Sequence, residues 1–212
     1  MAPTILQDIV RELDPTVDDH PDAPFPFLTG PCEPDVFWRH CDFVRHLEAA
    51  SEQPLEPLWA DVTGLQLMAD VLEAAYIRHG IKRQRRATTG ADHAERTEAA
   101  KAYLSTHMAD AVTLEDVAAE VCASPFNFAR IFQQQTGLPV HRYLTLLRLR
   151  ASLELLASPN ADLTSVTLDL GFSSHSHFTD VFHREFGETP SDFRKKASRK
   201  IVRQMSKNPI AD

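Results

Sequence analysis

An internal repeat constrains this chain more than any other feature. Residues 114–143 and 163–193 carry one pattern at an offset of 50: Ser124 matches Ser174, Phe128 matches Phe178, Phe132 matches Phe182, Gly137 matches Gly187 and Tyr143 matches Phe193. Just upstream the offset is 49, pairing Leu114 with Leu163 and Val117 with Val166, so one residue is gained in the turn. Each copy reads as a short helix, a tight turn, and a Ser-capped helix with aromatics four residues apart and a terminating Gly. That is the helix-turn-helix layout, in which the first helix braces and the second is offered outward.

Polarity separates this reading from a blander one, in which two similar helical hairpins simply pack on each other. With Phe128 and Phe132 facing inward, Asn127, Arg130, Gln133 and Gln134 face outward. With Phe178 and Phe182 inward, His175, Ser176, Thr179, Asp180 and His183 face outward. Flat hydrogen-bonding groups on an exposed helix face suit base edges. The connecting stretch Pro139–Ala157 reads as one amphipathic helix, ~28 Å long at 1.5 Å per residue. A separation near one DNA turn, roughly 34 Å, lets both outward helices enter successive major grooves on one face.

The flanking segments complete an all-α expectation. Residues 1–34 contain Pro3, Pro15, Pro21, Pro24, Pro26, Pro31 and Pro34 among many acids, which predicts a Pro-rich extended or disordered tail. Residues 35–80 read as two helices, one from Asp35 to Ala50 and one carrying Leu58, Val62, Leu65, Met68, Leu72 and Tyr76 and closed by Gly80. Their apolar stripe must dock on the rest of the chain or on a second copy, which makes 35–80 a candidate dimerisation segment. Trp59 and Tyr76 belong to that stripe and read as core or dimer contacts. Residues 81–94, basic and then small and polar, read as a linker. Residues 95–197 form a seven-helix domain, with a first helix-turn-helix at 113–137 and a second at 163–187. Residues 198–212 are a basic tail.

The stretch LEDVAAEVCASPFNFARIFQQQTGLPVHRYLTLLRLRASLELL, followed by LDLGFSSHSHFTDVFHREFGETPSDFRK, resembles the AraC/XylS family of bacterial transcription regulators over about residues 96–196. The resemblance implies a seven-helix domain with two helix-turn-helix units joined by a long helix. It implies base contacts from Phe126, Asn127, Ala129, Arg130 and Gln133 in the first unit, and from His175, Ser176, His177, Thr179, Asp180 and His183 in the second. Ser124 and Ser174, Arg184, and the basic residues Arg194, Lys195 and Lys196 are candidates for phosphate contact, which adds sequence-independent, salt-sensitive affinity. Two departures stand out. Asp180 occupies a position that in the family is often basic or amide; a carboxylate accepts from cytosine N4 but repels phosphate. Family members also usually carry a β-barrel effector domain, whereas the roughly 94 residues before this domain read as helical.

Charge agrees with two modules. The net charge of −8 hides an asymmetry: residues 1–74 carry 15 acidic and 3 basic side chains, and residues 75–212 carry 15 acidic and 19 basic ones. Three cysteines without CxxC spacing exclude a disulfide framework or structural zinc site, and Cys32, His40, Cys41 and His46 fit no standard metal spacing. No nucleophile elbow, phosphate-binding Gly loop or paired-carboxylate motif appears, so neither an enzyme nor a cofactor is expected. The expected partners are double-stranded DNA, RNA polymerase and a second copy bound through residues 35–80; no pattern specifies a small-molecule effector. With neither a signal peptide nor a membrane span, the expected setting is the bacterial cytoplasm, in association with the nucleoid. The reading is a sequence-specific transcription regulator, with activation as the expected mode and the sequence itself leaving activation or repression open. The alternative is a truncated regulator that acts by heterodimerisation without strong DNA binding of its own.

Overall fold

Prolines and glycines punctuate the chain into helices. The computed structural model describes residues 3–14, 16–17, 25, 27, 29–50, 55–81, 90–158 and 161–197. Those residues form ten α-helices and no strand: α1 (Pro3–Leu13), α2 (Pro34–Ala49), α3 (Pro57–Arg78), α4 (Gly90–Thr106), α5 (Leu114–Glu120), α6 (Pro125–Thr136), α7 (Val140–Leu156), α8 (Leu163–Asp169), α9 (His175–Phe186) and α10 (Pro190–Lys196). Pro opens α2, α3, α6 and α10, where its missing N–H costs nothing. The seven helices expected in the C-terminal domain are α4–α10, and the expected pair in 35–80 is α2 and α3. Among the described residues no helix is long and apolar enough to cross a membrane.

Two apolar cores share α7. The first gathers Ile9, Val10 and Leu13 of α1, Leu58, Val62, Leu65 and Leu72 of α3, Leu104 of α4, Leu114 and Val117 of α5, Phe128 and Phe132 of α6, and Val140 and Leu144 of α7. The second gathers Leu146, Leu149, Leu153 and Leu156 of α7 with Val166, Phe178, Phe182 and Phe193 of α8–α10. Burying each such side chain contributes ~1.5–3 kcal/mol relative to leaving it exposed. One helix thus fixes both halves of the repeat relative to each other.

Three boundaries differ from the sequence reading. The tail expected over 1–34 contains a helix: Pro3 and Pro15 bracket α1, and Leu6, Ile9, Val10 and Leu13 give it an apolar face at helical spacing. Ile9 and Val10 are fully buried, and Phe25 and Phe27 pack on the same core. The proline count concealed this short amphipathic run. The linker is shorter than expected, because Gly90–Ala94 already belong to α4; residues 82–89 lie outside the described residues. The apolar stripe of 35–80 docks on its own chain, since α3 packs against α1, α5, α6 and α7.

Candidate nucleic-acid interface

The repeat is structural in detail. Thr113 caps α5 and Asp162 caps α8, each side chain accepting from the backbone N–H three residues on. In the first unit Asp116 returns the bond to Thr113, completing a capping box that holds its carboxyl below the usual range. Ser124 and Ser174 cap α6 and α9 through Asn127 N at 3.4 Å and His177 N at 3.1 Å. Gly137 and Gly187 end those helices at φ 72° and 76°. Phe128 meets Phe132, and Phe178 meets Phe182, at ring-centroid distances of 5.6 Å in both copies. Phe132 then meets Tyr143 at 5.3 Å, and Phe182 meets Phe193 at 5.7 Å.

The turn locates the extra residue. Cys122 and Gly171 both have positive φ, 51° and 73°. After them Ala123 N donates to Ala118 O and Phe172 N donates to Thr167 O, the same bond in each copy. Register is therefore still 49 at Ala123 and Phe172, and Ser173 is the residue gained before the second cap. Its hydroxyl lies 3.4 Å from His177 Nδ1.

The two outward helices are presented differently. On α9, His175, Ser176, Asp180 and His183 are exposed and Thr179 is half-buried, as the polarity argument requires. His177 is half-buried; burial lowers its pKa, with the Glu56 carboxylate opposing. On α6, Gln133 is exposed, and Asn127 and Arg130 are half-buried and joined by an Arg130 Nη2 to Asn127 Oδ1 bond of 2.9 Å. Phe126 corrects the expectation of a base contact. Only 6% exposed, it lies in the first core with the buried side chains of α1 and α3, and Ala129 packs against the same cluster.

The phosphate candidates divide similarly. The Ser124 and Ser174 hydroxyls serve as caps, and Arg184 is exposed. Arg194 Nη1 donates to Ala161 O at 2.7 Å, bracing the approach to α8. Lys195 pairs with Asp192 at 3.2 Å and Lys196 with Glu188 at 3.0 Å, both partly solvated. The remaining basic positions, in the tail 198–212, lie outside the described residues.

Sequence reasoning missed Arg148. It sits on the apolar side of α7, one turn past Leu144, and is 2% exposed. It donates to the Glu56 carboxylate, to Met108 O at 2.6 Å and to Asp110 O at 3.0 Å, and its guanidinium lies 5.9 Å from the Phe172 ring centroid. An Arg spaced four residues from Leu144 and Ser152 within a Leu-rich stripe was the available signal. Asp61 of α3 makes a second link, accepting from Leu114 N at 3.4 Å.

A family described as "Helix-turn-helix domain" matches residues 117–196. The HTH-type transcriptional activator RhaS of Shigella boydii is 41% identical over 93 residues, 44% of this chain and 34% of that protein. The regulatory protein PocR of Salmonella typhimurium is 31% identical over 102 residues, 48% of this chain and 34% of that protein. The chain thus spans about a third of the length of these curated relatives. A solved transcriptional regulator with an AraC-type DNA-binding domain, from Chromobacterium violaceum, aligns with 52% of this chain and 98% of its own at 24% identity and a TM-score of 0.48. Over residues 117–196 the chain is thus similar to the helix-turn-helix domains of these transcription regulators.

Proposed function

We propose that this protein is a transcription regulator that binds double-stranded DNA specifically, reading two successive major grooves with α6 and α9. The observation that carries this reading is the pair of matched helix-turn-helix units locked to a single α7. That helix, ~26 Å long at 1.5 Å per residue, holds the two units at one fixed separation, as reading grooves roughly 34 Å apart on one face of B-DNA requires. Arg130 supplies a guanine contact, with Asn127 and Gln133 beside it; His175, Ser176, Thr179 and Asp180 form the reading face of α9. The names of the RhaS and PocR relatives support regulation of transcription, and activation through RNA polymerase follows as part of the proposal. So do a cytoplasmic, nucleoid-associated setting and self-association, for which the exposed Phe37 and Trp38 of α2 remain as surface.

Selection of bound sequences from a random duplex pool at about 150 mM salt tests the reading, because weaker ionic strength flatters any basic surface. Enrichment of a motif with two blocks about ten base pairs apart is expected. Retention only at low salt, with no enriched motif, supports the interaction-protein alternative instead.

A further inference from the structure

We propose that helices α1–α3 form an intramolecular cover over the reading face of α6, so that the first helix-turn-helix engages DNA only when the cover moves away. The inference rests on the assignment of α6 as a DNA-reading helix.

Three observations converge on it. First, the face of α6 turned away from Phe128, Ile131 and Phe132 should be open to solvent in a free reading helix. Here Phe126 is buried in one apolar cluster with Ile9, Val10 and Leu13 of α1 and Leu58, Val62 and Leu65 of α3. Both α1 and α3 pack against α6. At the other end of the same face, Gln133 lines a cavity walled by Val62, Gln66 and Leu67 of α3 and Phe43 of α2. An α-helix fills the major groove it enters, so a second helix along that face excludes DNA sterically.

Second, the matching face of α9 is more open over its first turns. Ser176 and Asp180 are exposed where Phe126 is buried and Arg130 half-buried, while Gln133, Gln134, His183 and Arg184 are exposed alike. His175, Ser176, Asp180, His183 and Arg184 are all exposed. A cleft of about 350 Å³ lies between the α2–α3 corner (His46, Leu55, Glu56, Trp59) and His177, Asp180 and Arg184. The two copies of one motif thus differ in access at the start of the outward helix, where α1 and α3 pack on α6.

Third, the cover is acidic and latched by charge. Residues 1–74 carry 15 acids against 3 bases. Glu56, the N-cap residue of α3, reaches Arg148 of α7, and Asp61 of α3 accepts from the N-terminal amide of α5. An acidic cover repels the phosphates that would replace it. When the binding-competent state is a minor one, apparent affinity falls by the fraction that is open.

The test uses the full chain and two independent releasing variants, Val10→Asp on the buried face of α1 and Glu56→Gln at the latch, both checked for helical content by circular dichroism. Affinity is measured on duplexes bearing the selected motif, and on the same duplexes with either block scrambled. The expected result is binding about tenfold or more tighter by a releasing variant, within the usual range of coupling between sites. It should come with a larger loss on scrambling the block whose preference Arg130→Ala blurs. Equal affinity of wild type and folded Glu56→Gln, with the same loss in both proteins when either block is scrambled, overturns the cover while leaving the DNA reading intact. Failure of all three proteins to retain any duplex removes the DNA reading, and the cover with it.

Discussion

Glu56 at the start of α3 and Arg148 in the middle of α7 form an ion pair 92 residues apart in sequence, 13% and 2% exposed respectively. Arg148 also holds two carbonyls of the α4–α5 loop and lies against Phe172 in the turn of the second unit. One guanidinium therefore ties together the N-terminal helices, the lead into the first helix-turn-helix and the turn of the second. Arg148→Met should destabilise the protein by ~3–5 kcal/mol, the cost of leaving one partner of a buried pair alone. The double replacement Arg148→Met, Glu56→Leu should recover much of that loss. Urea midpoints of the single and double variants check both statements.

The turn supplies a contrast between equivalent positions. A Cβ on Gly171 would come within 2.5 Å of Ala109 O and 3.1 Å of Arg148 Nη2, at a φ of +73°. Gly171→Ala should therefore cost ~2 kcal/mol or more, from left-handed strain and a backbone clash. Cys122 already endures φ 51° in the first unit. Cys122→Gly should gain ~0.5–1 kcal/mol, because the relief of strain exceeds the added backbone entropy. Thermal melts of both variants should move in opposite directions.

Arg130→Ala should cost ~1–3 kcal/mol at the selected site and relax preference at one base pair. The comparison is between the cognate duplex and duplexes altered at single positions. A uniform loss on every sequence would make Arg130 a phosphate contact instead.

Acid should weaken the fold before any carboxylate titrates. His141 at the start of α7 has its pKa lowered from 6.5 to about 4, first by burial and then by the Arg142 charge, and its buried Nδ1 has no hydrogen-bond partner. Below pH 6.5 the unfolded chain binds a proton that the folded one refuses, so stability falls from there toward pH 4 and this contribution is constant above and below that window. His177, also lowered by burial, acts with the same sign. The capping carboxylates of Asp116, Asp162 and Asp192 are lowered from 3.8, so their contribution is lost only at still lower pH. His141→Gln should flatten the dependence of the urea midpoint between pH 7 and pH 4.5.

Most of the C-terminal domain was legible because its signals are local. Caps at Thr113, Ser124 and Ser174, stops at Gly137 and Gly187, and Phe pairs four apart place helices almost to the residue. What escaped notice depends on tertiary contact. The prolines of residues 1–34 masked α1, whose amphipathic run is short and acquires meaning only against α3 and α6. Phe126, expected at a base only through the family resemblance, is buried in a cluster that also holds side chains of α1 and α3. Arg148 looks like a misplaced charge in an apolar stripe until Glu56 and two carbonyls meet it. Local pattern specified each hairpin; which face of α6 stays open is a property of the whole chain.

Hydroxyl-radical footprinting on the selected duplex tests the central claim most directly, at saturating protein so that a cover that merely lowers affinity is overcome. The account predicts two protected blocks centred about ten base pairs apart on one face of the helix, the spacing of successive major grooves. A single protected block, or two blocks on opposite faces, would contradict the reading of DNA by two units fixed to one helix.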